Sequence, residues 1–337
     1  MLQSTHLRLA RLVSAFALGF ALAASSAHAQ IAIEFVTVGA PGAPGYPELA
    51  NPSASVPYAF EISRYEVTNE QYAAFLGAVA ANDPNGLWFS SMQSNALGGI
   101  ERTGTAGNWQ YAVKPGMADK PVNYVSFWDA LRFANWLHNG QPAGDQDATT
   151  TEDGAYTITP QGIAANDVPR NPGALYAVPT RDEWLKAGYS EDAPSTWYLS
   201  PAQSQLLLVS GTPLDDDGNT GHCNSASSVL YDVGSYTLSE SPWGTFDQGG
   251  NVSEWTEEIR GGGSARAHLG GSFASSCNAT SPGGVPFFVP GQTISNLGFR
   301  VVRPSAPTVP LLGRFAMGIL ALAMTGVANH RFRVASR

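Results

Sequence analysis

The residues of this chain best suited to redox or soft-metal chemistry are its two cysteines. Cys277 lies in the stretch GGSFASSCNAT, residues 270–280, and Cys223 lies earlier in the chain. A thiolate is a nucleophile and a ligand for soft metals, whereas two thiols in an oxidising compartment can form a disulfide. Three alternatives therefore stand for Cys277: a displaced catalytic thiol, a disulfide partner of Cys223, or an inert buried thiol.

The first 29 residues predict export. Two arginines precede an apolar run over residues 12–24, and residues 27–29 (AHA) have the small-residue pattern of a signal-peptide cleavage site. This run is shorter than the ~20 residues that a membrane-spanning helix needs, which favours cleavage after Ala29 over an uncleaved anchor. Because export exposes thiols to oxidising conditions, a disulfide between Cys223 and Cys277 is the favoured alternative, provided that their Cα atoms lie within about 7 Å.

The C-terminal segment, residues 305–337, predicts membrane attachment. Its residues 309–328 form an apolar run about long enough to span a bilayer, and Arg331, Arg333 and Arg337 follow. Basic residues stay on the cytoplasmic side, so the rest of the protein is expected outside, in the periplasm or at the cell surface. The ending also resembles the tripartite sorting signals of the PEP-CTERM kind, without their Pro-Glu-Pro motif, so a plain anchor and a sorting signal are both open.

The body between these two ends is acidic. Residues 30–304 hold 12 of the 18 Lys and Arg residues and all 27 Asp and Glu residues, so their net charge is −15. This charge argues against nucleic acids and anionic surfaces as partners, and it is compatible with divalent cations. The partner expected instead is an unidentified protein or small-molecule ligand.

Composition divides this body into a lead-in and a folded domain. Residues 39–57 are rich in Gly, Pro, Ser and Ala, so we interpret residues 30–57 as an irregular lead-in and residues 58–304 as the domain. The 36 glycines and 23 prolines of the chain indicate many turns. The 43% of hydrophobic and 10% of aromatic residues are too many for a disordered chain.

Three capping boxes predict where helices begin in this domain. In each, a Ser or Thr is followed three residues later by Gln, Asp or Glu, and apolar residues continue at helical spacing. The pairs are Thr68 with Gln71, Ser126 with Asp129, and Thr180 with Glu183. Because the remainder lacks long periodic stretches, we predict short strands and many turns between the helices, and therefore an α+β fold.

Six segments between about residue 60 and residue 303 form an ordered set: YEVTNEQYAAFL, KPVNYVSFWDALRFANWL, VPTRDEWLKAGY, VGSYTLSESPWGTFDQGGNVSEW, HLGGSF and NLGFRVVRP. Together they resemble the formylglycine-generating enzyme family, also called the sulfatase-modifying factor domain. The resemblance implies a variant of the C-type-lectin-like fold with little regular secondary structure. It also implies that Arg300 ties the chain's end to the core and that four tryptophans pack inside: Trp128, Trp136, Trp184 and Trp255.

Members of this family that make formylglycine oxidise a cysteine of a sulfatase peptide, using O2 and a Cu(I) ion held by two cysteines. The resemblance places those two positions at Ser275 and Thr280, with Cys277 between them and out of register. Neither hydroxyl replaces a thiolate as a ligand for Cu(I). We therefore expect neither copper binding nor formylglycine generation.

The resemblance also implies a calcium site in the segment FDQGGNVSEW. Its ligands would be the side chains of Asp247 and Glu254 and the backbone carbonyls of Gly250 and Val252. Calcium takes six to eight hard oxygen ligands, and a glycine turn lets carbonyls approach carboxylates. Calcium is therefore the expected cofactor.

A second calcium site of the family would begin at Asn224 and Ser225. Its acidic partner does not align in this sequence, and the nearby residues 215–217 (DDD) could substitute for it. A run of like charges is more often a solvated turn, which is the competing interpretation of these three residues.

Three functions are open on these observations. The first is an exported, calcium-stabilised domain that has lost the copper centre and binds a ligand or protein partner at the cell envelope. The second is an oxidase that generates formylglycine or oxidises another thiol through Cys277. The third is a structural protein of the envelope without a small ligand.

Overall fold

The computed structural model describes residues 30–46, 55–191, 196–225 and 229–304. The predicted signal peptide, residues 1–29, and the predicted C-terminal anchor or sorting signal, residues 305–337, lie outside the described residues. Across the described ranges, no helix is long and apolar enough to cross a membrane.

The helices of the described chain are short, and the predicted capping boxes begin three of them. The helices are α1 (Asn69–Val79), α2 (Ser91–Ser94), α3 (Phe127–His138), α4 (Pro160–Ala165) and α5 (Arg181–Tyr189). The boxes at Thr68, Ser126 and Thr180 are confirmed, because each hydroxyl accepts from the backbone amide three residues on and the side chain there accepts in return from the cap amide. These caps fix where α1, α3 and α5 start.

The strands form four small sheets. They are β1 (Phe35–Val38), β2 (Phe60–Ser63), β3 (Ile100–Thr103), β4 (Gln110–Val113), β5 (Val209–Ser210), β6 (Thr220–Gly221), β7 (Ser253–Arg260), β8 (Ala265–Leu269), β9 (Phe287–Phe288), β10 (Leu297–Gly298) and β11 (Val302–Pro304). One sheet has the order β1-β2-β11, a second has the order β10-β7-β8-β9, and β3-β4 and β5-β6 are separate pairs. Single 3-10 turns occupy Pro213–Asp215, Gly261–Gly263 and Cys277–Thr280.

The structure corrects the predicted boundary between lead-in and domain. The interpretation of residues 30–57 as irregular is wrong for β1, which pairs antiparallel with β2 and buries Val38 completely. The physical reason is that FVTV contains only aromatic and β-branched residues, which favour strands, before the Gly/Pro-rich stretch begins. The stretch after β1 is also docked, since Lys186 Nζ donates to the carbonyl of Ala40 at 2.7 Å.

The main core packs α1 against α3 through aromatic rings. Phe133 of α3 contacts Tyr72 and Phe75 of α1, with ring centroids 6.1 and 5.4 Å apart, and Phe299 packs on Phe133 at 5.3 Å. Such stacked and edge-to-face pairs stabilise a core beyond the area they bury. The expected burial of the four tryptophans is confirmed for Trp128, Trp136, Trp184 and Trp255.

Candidate functional site

Arg300, in the segment between β10 and β11, is the centre of a buried polar cluster. Its guanidinium forms a two-point ion pair with Glu254 of β7, with Nε to Oε2 at 2.6 Å and Nη2 to Oε1 at 2.8 Å. The same group donates to the carbonyl of Ser63 at 3.0 Å and to that of Phe246 at 2.8 Å. Arg300 thus joins the last segment to β2 and to the loop before β7, which confirms its expected structural role.

The loop that holds the predicted calcium ligands has an unusual backbone. Asp247, Gly250 and Asn251 have φ values of +59°, +105° and +52°. A Cβ atom at Gly250 would lie 2.4 Å from the carbonyl oxygen of His222, so only glycine fits there. The Asp247 carboxylate accepts from the amide of Gly234 at 2.6 Å. The turn therefore brings the loop close to the backbone of His222. The carboxylate of Glu254 is buried, and Asp247 is half-buried.

Glu66, between β2 and α1, belongs to the same cluster, and we did not single it out from the sequence. It is 2% exposed, and its carboxylate accepts from the amide of Val252 at 3.2 Å and from Asn251 Nδ2 at 3.1 Å. The only signal that could have found it is its position in YEVTNEQYAAFL, where an acidic residue stands between Tyr65 and Val67 just before the helix cap.

This cluster holds more negative charge than positive charge. The pKa of Asp247 is raised to about 6: burial is the largest cause and the neighbouring Glu254 adds to it, while the Gly234 amide and Arg300 oppose the shift. Burial raises the pKa of Glu66 as well, with Asp247 and Glu254 adding to the effect. Three carboxylates lie around one guanidinium: those of Glu66 and Glu254 are buried, and that of Asp247 is half-buried. Ionising all three leaves an excess of two negative charges over the one positive charge.

The predicted calcium ligands are all oxygen donors, which is the ligand chemistry of a hard cation. In the described part of the chain, no group of three or more His, Cys, Asp and Glu side chains is arranged to hold a metal ion. A cation at Asp247 and Glu254 would therefore complete its coordination with the carbonyls of Gly250 and Val252, as Ca²⁺ does and as soft metals do not. Glu254 would share its carboxylate with Arg300 and with Trp184, whose Nε1 donates to Oε2 at 2.7 Å.

The two cysteines lie apart from this cluster and are joined to each other. The Cys223–Cys277 disulfide has an S–S distance of 1.96 Å and a Cα–Cα distance of 5.1 Å, within the range that allows a bridge. Cys223 is completely buried, and Cys277 is half-buried. Since both thiols are used in the bond, neither is present as a thiolate.

The two positions at which the family holds copper are engaged in local hydrogen bonds. The Ser275 hydroxyl accepts from the amide of Ser272 at 3.1 Å and lies 3.0 Å from that residue's hydroxyl. The buried Thr280 hydroxyl donates to the carbonyl of Cys277 at 2.7 Å. These hydroxyls stabilise the loop and its 3-10 turn.

The residues predicted for a second calcium site hold two loops together. The amides of Asn224 and Ser225 donate to the carbonyls of Ser275 and Phe273, at 2.6 and 2.8 Å. The carboxylates of Asp215, Asp216 and Asp217 accept from backbone and hydroxyl groups in and beside their own turn. This geometry agrees with the interpretation of residues 215–217 as a turn.

A second charged cluster lies beneath α5, and no sequence pattern indicated it beyond the capping role of Glu183. Arg170 pairs with Glu183 at 2.8 Å and with Glu257 of β7 at 2.9 Å. Tyr58 donates to Glu183 at 2.9 Å, and Tyr156 donates to Glu257 at 2.5 Å. Burial raises the pKa of Glu183 but Arg170 outweighs it and holds that pKa below its usual value.

Two histidines of this region, His222 and His268, are buried among aromatic side chains. His222 packs between the rings of Tyr231 and Phe273, and His268 stacks on Phe288 with centroids 4.5 Å apart. Burial lowers the pKa of each histidine to about 4, so both are neutral at pH 7. They pack in the core as aromatic rings.

Comparison with known proteins identifies the family. Residues 35–305 match the model of the sulfatase-modifying factor enzyme 1-like domain. Treponema denticola variable protein 1 is 20% identical, with 80% of this chain and 95% of that chain covered and a TM-score of 0.50. CarF is 24% identical, with 81% and 99% covered and a TM-score of 0.48, and PvdO from Pseudomonas aeruginosa is 15% identical, with 80% and 94% covered and a TM-score of 0.45.

No curated protein sequence matches this chain significantly. The first of these structural similarities supports the predicted α+β, C-type-lectin-like fold of short strands and few helices. The family match covers the ordered motifs from β1 to β11, including the loop around Asp247 and the closing Arg300. On this match, the chain belongs to the sulfatase-modifying factor family.

Proposed function

We propose that this protein is an exported, calcium-stabilised recognition domain of the sulfatase-modifying factor family without formylglycine-generating activity. It acts at the cell envelope, attached through its C-terminal segment, and binds a protein or a small-molecule ligand. The observation that carries the proposal is that hydroxyl residues, Ser275 and Thr280, stand at the two positions where the family has copper-binding cysteines.

Cu(I) requires two soft ligands brought together, and this chain has only two thiols. Both are in the Cys223–Cys277 disulfide, and the hydroxyls of Ser275 and Thr280 are hydrogen-bonded within their own loop. The scaffold of the family is retained without the ligand pair on which its oxidation chemistry depends. Recognition is the function that such a scaffold can still perform, because loops on a rigid body can bind a partner without any catalytic group.

Calcium is supported by the charge of the Arg300 cluster. Buried Glu66 and Glu254 and half-buried Asp247 bring three carboxylates beside a single guanidinium. A divalent cation held by Asp247, Glu254 and two backbone carbonyls would neutralise the excess of two negative charges. When bound, calcium would supply rigidity to the loop before β7 and no redox chemistry.

Recognition of a partner is supported by exposed apolar side chains on the segment between α5 and β7. Leu206 is 72% exposed, Leu214 is 98% exposed and Leu238 is 63% exposed. Asp216 accepts from the amide of Leu238 at 2.7 Å, so the turn that carries Leu214 is fixed beside Leu238. Apolar groups held in place at the surface are typical of a protein-binding site.

The activity test uses a peptide that contains Cys-x-Pro-x-Arg, incubated with the purified protein, copper and O2. We expect no loss of the peptide thiol beyond a control without protein, as measured by mass spectrometry. A parallel sample with a mild reductant opens the Cys223–Cys277 bond and tests the thiol-oxidase alternative. Turnover in either sample that disappears in Cys277→Ser would replace our proposal with that alternative.

The calcium test compares melting temperatures in millimolar calcium and in chelator. A site of micromolar affinity should add about 4 kcal/mol to the free energy of unfolding under these conditions. Glu254→Gln should reduce the response, whereas Glu258→Gln should retain it, because Glu258 lies on the same strand in a surface pair with Arg260. Identical melting temperatures for the wild type would remove calcium from the proposal.

The recognition test measures binding of labelled protein to envelope fractions from cells that lack its gene. Replacing Leu214 and Leu238 by Lys should lower this binding without lowering the melting temperature. Leu175→Lys is the matched control, since Leu175 is 58% exposed and lies on another part of the surface. Equal binding by both variants would exclude the leucine surface as the recognition site.

A further inference from the structure

We propose that Glu66 is a positioning residue for the calcium loop, a role that rests on the proposed calcium site. Its carboxylate would hold the backbone at residues 250–252 in the conformation that presents the Gly250 and Val252 carbonyls, and it would add a negative charge that favours a divalent cation. Glu66 is not itself one of the four proposed ligands.

The geometry begins with the two hydrogen bonds that Glu66 accepts. One oxygen accepts from the Val252 amide and the other accepts from Asn251 Nδ2, at 3.2 and 3.1 Å. Both bonds cross from the segment before α1 to the calcium loop, a separation of 185 and 186 positions in the chain. Glu66 therefore contacts the peptide unit that joins Asn251 to Val252 and also the side chain of Asn251.

Asn251 is the residue that these contacts fix. Its φ of +52° lies in the left-handed region, which costs free energy for a residue other than glycine. Its amide donates to the carbonyl of His222 at 3.0 Å, and its Oδ1 accepts from the amide of Tyr231 at 3.3 Å. With the bond to Glu66, these contacts hold Asn251 between two proposed carbonyl ligands, at Gly250 and Val252.

The donors around Glu66 require a carboxylate. Two N–H groups point at its two oxygens, and an ionised carboxylate is the side-chain form that accepts at both. A glutamine has only one acceptor oxygen, so its NH₂ group would face the second donor and one of the two hydrogen bonds would be lost. The site is therefore shaped for a negative charge at Glu66.

In the described structure Glu66 makes no ion pair of its own, and the nearby Arg300 offsets its charge only in part. The guanidinium of Arg300 is ion-paired with Glu254, and its other bonds go to the carbonyls of Ser63, Arg64 and Phe246. Burying a carboxylate without a counter-charge is costly unless a cation lies close by. A divalent cation bound by the loop would meet this requirement, which links the Glu66 contact to cation affinity.

The test measures calcium affinity by isothermal titration calorimetry and, separately, the melting temperature in chelator. Glu66→Gln should weaken calcium binding by about tenfold or more, as changes that disturb the orientation of metal ligands do. Its melting temperature in chelator should stay the same or rise, because a buried negative charge is removed. A purely structural Glu66 would show the opposite result, with a lower melting temperature and an unchanged affinity.

Two further variants keep the test decisive. Glu61→Gln is the matched control, because Glu61 lies on β2 in a surface pair with Arg303 and should leave calcium affinity unchanged. Asn251→Gly tolerates the left-handed φ, removes one of the two bonds to Glu66, and should weaken calcium binding several-fold even if Glu66→Gln does not fold. If the wild type binds calcium and both Glu66→Gln and Asn251→Gly match its affinity, the role of Glu66 is excluded; a wild type that binds no calcium contradicts the proposed calcium site instead.

Discussion

The two buried arginine clusters of this domain differ in how their carboxylates are neutralised. In the described chain, Arg170 is ion-paired with both of its carboxylates, Glu183 and Glu257, and a tyrosine donates to each of them. Arg300 is ion-paired with Glu254, while the carboxylates of Glu66 and Asp247 accept only neutral donors. The carboxylates of the first cluster are paired with a guanidinium, whereas the second cluster keeps an excess of carboxylates over guanidinium groups.

A count of ion pairs therefore does not reveal how much charge a cluster leaves unpaired. Both clusters contain good ion pairs at 2.6 to 2.9 Å. The two clusters differ in the number of carboxylates that form no ion pair. They also differ in the conformation of the neighbouring backbone. The left-handed turn at Gly250 and Asn251 lies next to the unbalanced cluster, and carbonyl oxygens from such a turn are suitable ligands for calcium.

Removal of each arginine should give the largest effect and should rank the two clusters. Arg300→Leu is expected to lower the free energy of unfolding by about 5 kcal/mol, since it leaves buried Glu254 unpaired and removes the guanidinium near Glu66 and Asp247. Arg170→Leu should cost about 3 kcal/mol, because the tyrosine donors remain. Urea denaturation of both variants measures this, and an equal or reversed order would mean that the two clusters carry similar charge imbalance.

Removal of one carboxylate from each cluster should change stability in opposite directions when calcium is chelated. Glu183→Gln breaks a satisfied pair and should destabilise the fold by about 3 kcal/mol. Asp247→Asn removes an unbalanced buried charge, keeps an acceptor for the Gly234 amide, and should stabilise the fold by about 1 to 2 kcal/mol. Chemical denaturation in chelator decides the signs, and destabilisation by both would contradict the comparison.

Lowering the pH should change the stability effects of Asp247→Asn and Glu183→Gln differently, by a smaller amount than the substitutions themselves. The pKa of Asp247 is raised to about 6, so its contribution to stability is present at low pH and is lost as pH rises through 6. The advantage of Asp247→Asn should therefore shrink by about 1 kcal/mol between pH 7 and pH 5. The pKa of Glu183 is lowered, so the deficit of Glu183→Gln should persist at pH 5.

This pH series is best measured in a His268→Phe background, which retains a ring against Phe288. Burial lowers the pKa of His268 to about 4, so its contribution is present above pH 6.5 and is lost as pH falls toward 4. His222 has the same lowered pKa and titrates in both proteins, so the wild type should lose about 1 kcal/mol more than His268→Phe by pH 5.5. A parallel decline in both would assign the acid sensitivity to other groups.

Local patterns in the sequence were enough to predict the helix starts and much of the core. The three capping boxes are contacts between residues three positions apart, so their spacing in the sequence is the evidence itself. The ordered motifs placed Arg300 and the four tryptophans correctly. The pairing of Cys223 with Cys277 was favoured only because the compartment was inferred as well.

Contacts between residues far apart in the chain could not be predicted from local residue spacing. Glu66 meets Asn251 across 185 positions, and Arg170 meets Glu257 across 87, with no spacing in the sequence to indicate either contact. The strand β1 was missed because four residues carry a weak period-2 pattern, and the Gly/Pro-rich stretch beside them dominated the composition. In each case the partner that decides the structure lies far away in the chain.

The sheet order β1-β2-β11 sets the moment at which the domain can close during synthesis. Ile62 of β2 pairs with Val36 on one side and with Val302 on the other. One edge of β2 therefore stays unpaired until β11, the last strand, has been synthesised. At ordinary rates of chain elongation, the intervening residues take on the order of tens of seconds to appear. During that interval the apolar residues Phe60 and Ile62 lie on an open edge, and a nascent chain halted before Val302 would keep that edge free to pair with other molecules.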